Sequence, residues 1–363
     1  MRAITTVFIS VFLSCIQLNA GNPVVRYSSG KITLKISDKM YNEVIPVEQL
    51  SGNDTIKLNV NDKRLEFGIY TDMDSLVQVI PLHTTLILNL IKEGLPPLWV
   101  AVKNGLDTEM IQFDRNSTHS DITFKYDENM NSEYLQKLRA GYPIDSLANL
   151  GRTDFEKARI LATWVHGLWE HDGWNEPKQR DALYILDEVK KGQRFRCVEY
   201  GIVTTACLNA IGLKSRTLAL KTKDVETSSS GAGHVLMEFY LNDLNKWVMI
   251  DPQFDMITLS EGIPLNAVEL QQAITEGKDI EMITSEKESE SMYLSWLYPY
   301  LYYFSVPFDN RENIGPDQRH TVDGKRELML VPLGVKEPTV FQRKYPISNC
   351  IYTHSLKDFY RKP

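Results

Sequence analysis

The chain has 363 residues, of which 43% are hydrophobic and 24% charged, and this composition suits a globular protein of two or three domains. The formal net charge of -7 at pH 7 argues against nucleic acid as the main partner, because a surface that follows phosphate groups is usually basic. No tract rich in Lys and Arg changes this conclusion.

Residues 1–20 have the pattern of a secretory signal. One basic residue, Arg2, precedes an apolar stretch, and small residues lead to an expected cleavage site after Ala20. The stretch is too short for a convincing membrane span. The sequence "FLSC" also resembles a bacterial lipoprotein box, although Phe12 is an unusual first residue for one. We expect export to the periplasm, the cell surface or the medium, with a possible lipid tether through Cys15.

Residues 21–130 are predicted to form a β-rich domain. Four segments alternate apolar and polar residues with the period of two that marks a strand with one buried face, namely "KITLKI", "TIKLNV", "RLEFGI" and "DITFKY". The pair Asn61 and Asp62 between the second and third segments predicts a tight hairpin turn. This domain carries no recognisable chemical motif.

Residues 131–265 begin with a helical pattern. Thr153 and Glu156 have the spacing of a capping box, and the helix behind them is expected to continue to about Gly173. Another helix is predicted over Arg180–Lys191, and it leads into the loop that carries a cysteine.

The stretch "RFRCVEYG" places Cys197 behind two arginines, at the start of a predicted helix that ends before Gly212. The positive end of the helix dipole would stabilise a thiolate at that position. Cys207, in the middle of the same helix, has apolar neighbours and is interpreted as an inert core thiol. With Cys350 the mature chain has an odd number of cysteines, which in an exported protein indicates a free thiol.

A nucleophilic thiol needs a base, and the base needs a group that orients it. His234 opens the strand pattern "HVLMEFYL", and Asp251 closes the pattern "KWVMID". If these strands form a hairpin with its turn inside Asn242–Asn245, His234 and Asp251 come opposite each other or within one or two residues of it. The carboxylate could then hold the imidazole and fix its tautomer. Cys197, His234 and Asp251 are therefore the candidate catalytic residues.

Residues 266–363 are predicted to form a C-terminal extension that packs on the core. They include a densely aromatic run, "MYLSWLYPYLYYF". Clustered aromatic side chains usually belong to a core, and the alternative is an aromatic wall beside a substrate groove.

The order of Cys197, His234 and Asp251 along the chain resembles that in the transglutaminase-like superfamily. The resemblance spans roughly residues 154–255 and includes "GLKSR" after the helix, an H-x-x-x-E strand and "WVMIDP". It implies an α+β fold with a papain-like core, in which a helix bearing the cysteine packs on an antiparallel sheet bearing the histidine and the aspartate. It also implies acyl transfer from an amide, with Cys197 as nucleophile, His234 as proton shuttle and Asp251 as the orienting group.

Members of this family can use an upstream tryptophan to help stabilise the oxyanion. Trp174 in "HDGWNEP" is the nearest candidate, and the backbone N–H of Cys197 is the alternative donor. His166 and His171 are interpreted as surface histidines that flank the preceding helix.

Three functions remain open. The first hypothesis is hydrolysis of an amide in a peptide or glycopeptide, and the second is cross-linking or amine transfer by the same three residues. The third is a non-catalytic binding module of the same fold. The sequence has no CxxC or HExxH pattern and no calcium-loop spacing, so we expect neither a metal site nor a cofactor.

Overall fold

The computed structural model describes residues 10–13, 21–29, 31–37, 39–42, 54–60, 62, 65–285 and 290–363. The chain divides into two compact units, residues 1–107 with 288–298 and residues 108–287 with 299–363. Most of the predicted signal segment, including Cys15 and Ala20, lies outside the described residues. Among the described helices, none has both the length and the apolar character that crossing a membrane would require. The domain boundaries that we place after residues 130 and 265 stay predictions.

The described secondary structure runs as follows in chain order: β1 (Ser10–Leu13), β2 (Val24–Arg26), β3 (Thr33–Ile36), β4 (Lys39–Asn42), β5 (Asp54–Val60), β6 (Leu65–Tyr70), β7 (Ser75–Ile80), β8 (Thr84–Ile91), β9 (Leu98–Asn104), α1 (Glu133–Gly141), α2 (Ile144–Ala148), α3 (Asp154–His166), α4 (Ala182–Lys190), α5 (Cys197–Ala210), β10 (Ser215–Lys221), β11 (Gly233–Leu241), β12 (Lys246–Ile250), β13 (Ile257–Ser260), β14 (Ile263–Pro264), α6 (Ala267–Thr275), β15 (Glu281–Ile283), α7 (Glu290–Leu297), β16 (Tyr303–Pro307), β17 (Glu327–Leu330), β18 (Val340–Phe341), β19 (Tyr345–Pro346), β20 (Cys350–Thr353) and α8 (Leu356–Phe359).

The first unit contains two sheets, with strand orders β1-β5-β9-β8-β2 and β4-β3-β6-β7. Residues from both sheets share one apolar core, and α7 lies against β5. The predicted strands "KITLKI", "TIKLNV" and "RLEFGI" are confirmed as β3, β5 and β6. The predicted hairpin between the last two is wrong, because β5 pairs with β1 and β9 whereas β6 pairs with β3 and β7. Asp62 therefore lies in a connection between two sheets, and Asn61 lies outside the described residues.

The segment "DITFKY" is not a strand, although two of its three apolar residues are buried. Ile122 is 4% exposed and Tyr126 is 7% exposed. The segment makes a single bridge, between Lys125 and Asp309, instead of a continuous ladder. Its period-two pattern therefore reflects the burial of alternate side chains. No strand forms because the segment pairs with its neighbour at one residue only.

The second unit is built on the sheet β12-β11-β10-β16-β17-β20, which is antiparallel except for the β17–β20 pair. Helix α5 packs on β10 and β11 and is flanked by α1, α3 and α4. These helices and one face of the sheet enclose an apolar core that includes Leu161, Val203, Met237 and Val248. A helix layer on a mainly antiparallel sheet confirms the predicted α+β class.

Local signals place most elements of this unit correctly. Helix α3 has the predicted capping box, since the Thr153 hydroxyl accepts the Glu156 N–H at 3.1 Å and the Glu156 carboxylate accepts the Thr153 N–H at 3.3 Å. It ends at His166, earlier than the expected end near Gly173. The β11–β12 hairpin turns where predicted, at a short 3-10 helix followed by Asn245 with φ 51°.

Candidate active site

Cys197 is the first residue of α5 and is half-buried, so its sulfur lies at the positive end of the helix dipole and within reach of solvent. The helix begins there because Arg196 adopts an extended conformation, with φ -78° and ψ 178°. The Glu199 carboxylate turns back and accepts the Arg196 N–H at 3.1 Å, which satisfies one donor at the helix start. Sequence and local structure thus agree on where the helix starts.

The two arginines before Cys197 are engaged by carboxylates. Arg194 pairs with Glu170 at 3.2 Å on the surface. Arg196 pairs with the fully buried Glu199 at 2.9 Å and with Glu176 at 3.1 Å. Because both guanidinium groups have these partners, we assign the stabilisation of the thiolate to other groups.

Three donors converge on the Cys197 sulfur. The side chains of His171 and His234 and the backbone N–H of Val235 hydrogen-bond to it. Burial opposes ionisation of this thiol, but these hydrogen bonds and the charge on His234 outweigh it and lower the pKa of Cys197 from 9.0 to about 6. The thiol is therefore ionised at neutral pH.

His234 is held between the sulfur and a carboxylate. Its Nε2 lies 2.8 Å from Oδ2 of Asp251, so Nδ1 is the ring nitrogen left for the thiol. The side chains of His234 and Asp251 are 2% and 0% exposed. Burial alone would lower the pKa of His234, but the charge and hydrogen bond of Asp251, together with Cys197, raise it to about 10. The resting pair is therefore a thiolate and an imidazolium.

The strand register explains how residues 17 positions apart meet. In the hairpin, Leu241 pairs with Lys246 and Met237 pairs with Ile250. Continuing this ladder places Asp251 opposite Leu236, two residues from His234 and therefore on the same side of the pleat. Asp251 is fixed further by its Oδ1, which accepts the Gln253 N–H at 3.1 Å.

Two aromatic rings flank the His234 ring. Phe254 meets it edge to face with a centroid distance of 6.3 Å, and Tyr300 lies at 6.0 Å with a tilted ring. Burial, together with the negative charge of Cys197, raises the pKa of Tyr300. Tyr300 comes from the aromatic run, so one residue of that run lines the site.

Trp174 lies in the loop before α4 with 90% of its surface exposed. Its oxyanion role stays a prediction, and the structure leaves its indole almost wholly in solvent. His171, three residues earlier in the same loop, contacts the sulfur instead. His171 is exposed and follows the end of α3 at His166, as expected of a surface histidine that flanks this helix, but its contact with the sulfur is not expected from the sequence. His166 contacts the carbonyl oxygens of Pro252 and Gln253, at 3.2 and 3.0 Å.

Other groups in the region have structural partners. Cys207 is fully buried in the core, and burial raises its pKa far above the usual range. Asp255, four residues after Asp251, accepts hydrogen bonds from the Thr163 hydroxyl at 2.7 Å and the Ser285 N–H at 2.9 Å. Within the described ranges, no group of three or more His, Cys, Asp or Glu side chains is arranged to hold a metal ion.

Residues 145–252 match the family model of the transglutaminase-like superfamily. The central part of this chain is a transglutaminase-like core. The match contains Cys197, His234 and Asp251 and ends one residue after the aspartate. No curated protein matches the chain in a sequence comparison.

Several solved structures are similar at low identity. A protein from Cytophaga hutchinsonii described as a candidate cysteine protease is 12% identical, with 42% of this chain and 49% of that chain covered and a TM-score of 0.28. The periplasmic domain of TgpA from Pseudomonas aeruginosa, bound to ethylmercury, is 13% identical over 62% of this chain and 90% of that domain, with a TM-score of 0.27. Red sea bream transglutaminase is 11% identical over 83% and 63%, with a TM-score of 0.26. This chain thus spans about half the length of the Cytophaga protein, and at these TM-scores the likenesses add nothing to the family match.

Proposed function

We propose that this protein is a thiol-dependent amide hydrolase that acts on a peptide or glycopeptide outside the cytoplasm. One observation carries the proposal: the sulfur of Cys197, the ring of His234 and the carboxylate of Asp251 form a continuous hydrogen-bonded chain. This chain has the parts that nucleophilic catalysis needs, a lowered thiol pKa, an adjacent proton carrier and a group that orients the carrier.

The acylation step follows from this arrangement. The Cys197 thiolate attacks the carbonyl carbon of the amide, a C–S bond forms, and the carbonyl electron pair moves onto oxygen as an oxyanion. When the tetrahedral intermediate collapses, the C–N bond breaks and the leaving amine takes the proton from the His234 imidazolium. Asp251 holds the ring in place through this transfer. The products are a free amine and a thioester on Cys197.

The thioester is resolved by a second nucleophile. For hydrolysis, neutral His234 takes a proton from water as the water attacks the thioester carbon. The C–S bond then breaks, which releases the acid and leaves the Cys197 thiolate beside a protonated His234. A primary amine in place of water would give acyl transfer, which is the alternative function. The same residues serve both reactions, so the two are distinguished by their products.

The test uses glutamine-bearing peptides with and without an added primary amine, analysed by mass spectrometry. We expect cleavage or deamidation with both mixtures, abolished in Cys197→Ala and retained in Cys207→Ala. Dominant amine adducts would identify a transferase. No Cys197-dependent product from a broad peptide and glycopeptide set, together with binding of those ligands, would support a non-catalytic module and contradict the proposal.

The extracytoplasmic part of the proposal rests on residues 1–20. Cleavage after Ala20 predicts a mature chain that begins at Gly21, whereas lipidation predicts a chain that begins at a diacylated Cys15. Expression of the full chain in a bacterial host, followed by fractionation and N-terminal mass analysis, separates the two. A chain that keeps residues 1–20 in the cytoplasmic fraction would contradict export.

A further inference from the structure

The loop between α3 and α4 is tied to the segment just before the candidate nucleophile. The backbone carbonyl of Phe195 accepts the Asp172 N–H at 2.9 Å and the Trp169 indole N–H at 3.3 Å. The Asn175 side chain donates to the carbonyl of Arg194 at 2.7 Å. The position of this loop relative to Cys197 is therefore set by three hydrogen bonds to the two residues Arg194 and Phe195.

A buried contact on the other side of the loop fixes it to α5 as well. Trp169 stacks on Tyr200, with ring centroids 4.2 Å apart and an interplanar angle of 27°. The Tyr200 hydroxyl donates to the Trp169 carbonyl at 2.6 Å. Tyr200 is one turn into the helix that Cys197 begins, so these contacts attach the loop directly to the helix that carries the candidate nucleophile.

His171 lies within this fixed loop, and its ring hydrogen-bonds to the Cys197 sulfur. It differs from the other histidine on the sulfur in its surroundings. His234 is 2% exposed and bound to a carboxylate, whereas His171 is exposed. His171 thus contacts the sulfur from an exposed position, where a substrate carbonyl can also reach it.

We propose that His171 is the side-chain donor of the oxyanion hole, acting together with the backbone N–H of Cys197. This inference rests on the proposed function. The oxyanion forms two bonds from the sulfur, so a ring N–H that reaches the sulfur in the resting enzyme reaches that oxygen after a small rotation. The Cys197 N–H is among the first of a helix, which have no acceptor within the helix.

The step keeps atoms and charge in balance. As the C–S bond forms, the negative charge of the thiolate passes to the carbonyl oxygen, and the hydrogen bond from His171 follows that charge. His171 only donates a hydrogen bond in this step, and the proton for the leaving amine comes from His234. His171 is therefore a donor to the transition state, and its loss removes an interaction that is stronger there than in the ground state.

The test separates acylation of Cys197 from its alkylation. p-Nitrophenyl acetate acylates the thiolate through an oxyanion, and iodoacetamide alkylates the same thiolate without one. For His171→Ala, we expect acylation to fall by about 10²–10³-fold and alkylation at its pH plateau to change only a few-fold. Asparagine and glutamine each place an amide N–H near one of the imidazole nitrogens, so we expect His171→Asn or His171→Gln to restore most of the acylation rate.

The control variant is His320→Gln, because the His320 ring contacts Thr123 at 3.0 Å, away from the sulfur. It should acylate at the wild-type rate. An equal fall in acylation and alkylation for His171→Ala would reduce its role to thiolate stabilisation, and no fall in either would exclude any role; both outcomes overturn the inference. Failure of wild-type protein to acylate at Cys197 would instead count against the proposed function, so the two failures are distinguishable.

Discussion

The Nε2 atom of His234 lies 2.8 Å from Oδ2 of Asp251, and the hydrogen bond between them is closed off from water. A buried carboxylate in this position does two things for an imidazole. It fixes which ring nitrogen faces the thiol, and it stabilises the positive charge that the ring carries when it holds the thiol proton. The reactivity of Cys197 therefore depends on a residue that never contacts the sulfur.

Asp251→Asn should test that dependence directly. The amide keeps the shape of the carboxylate but removes its charge and presents an N–H to the ring, which favours the wrong tautomer. We expect kcat/KM on a turned-over peptide to fall by about 10³–10⁴-fold with little change in KM.

Asp255→Asn is the matched control for this change. It is the same substitution four residues later, at a buried carboxylate that bonds Thr163 and Ser285. We expect a loss of stability but a kcat/KM per folded molecule within a few-fold of wild type. Equal losses in both variants would show that the Asp251 effect is structural.

The pH dependence of thiol alkylation should report the thiolate. Because the pKa of Cys197 is lowered to about 6, its rate of reaction with iodoacetamide should rise through that pH and level off near neutrality. His234→Ala removes a hydrogen bond and a positive charge, so the midpoint should move up toward the ordinary value of 9.0. Cys207 should stay unlabelled at all pH values at which the protein is folded. An unshifted midpoint in His234→Ala would contradict the ion pair.

The pH profile of kcat/KM for hydrolysis should have two limbs, and their directions follow from the protonation states that Cys197 and His234 need. Activity needs Cys197 deprotonated, so kcat/KM should rise as pH passes about 6. It also needs His234 protonated to release the amine, so kcat/KM should fall as pH passes about 10. A profile with no alkaline limb would mean that His234 does not supply the proton.

The sequence predicts the parts of the site that short-range rules control. The start of α5 at Cys197 and the capping box of α3 depend on residues within three or four positions. The β11–β12 hairpin depends on its turn, and once the turn lies at Asn242–Asn245 the approach of His234 to Asp251 follows. These features are predictable because each one depends on residues that are close together in the sequence.

The errors come from partners that are distant in sequence. The patterns on either side of Asp62 show two strands correctly, but not that they enter different sheets. Glu238 on β11 is fully buried because Arg216 on the neighbouring strand pairs with it at 2.7 Å, and the sequence does not reveal this partner. His171 was missed because nothing in its loop signals the three hydrogen bonds that hold the loop beside Cys197.

The position of Trp174 allows a prediction that contrasts with that for His171. Its indole is 90% exposed, and its backbone N–H bonds to Asp172 at 3.0 Å. Trp174→Ala should therefore lower the acylation rate of Cys197 less than about threefold, since removing a solvated side chain costs little. KM for a long peptide is the second readout. A large loss of acylation rate with unchanged KM would restore Trp174 as the oxyanion donor.

The buried pair between Arg216 and Glu238 gives a prediction about stability. Both side chains are 0% exposed, and the guanidinium lies 4.1 Å from the Trp247 ring. Arg216→Met leaves the Glu238 charge buried without its partner and should lower the free energy of unfolding by about 3–5 kcal/mol. Adding Glu238→Leu should recover most of that loss, because the stranded charge is then removed. Denaturant unfolding followed by tryptophan fluorescence measures both variants.

The surface pair between Lys137 and Glu133 is the control, with side chains 65% and 84% exposed and a separation of 2.7 Å. Lys137→Ala should cost less than about 1 kcal/mol, because an exposed pair gains little over its hydrated charges. Both pairs join a basic side chain to a carboxylate at the same distance. A difference in the loss of stability therefore reflects the burial of the Arg216–Glu238 pair. A loss in Arg216→Met no larger than that in Lys137→Ala would mean that water reaches the Glu238 carboxylate.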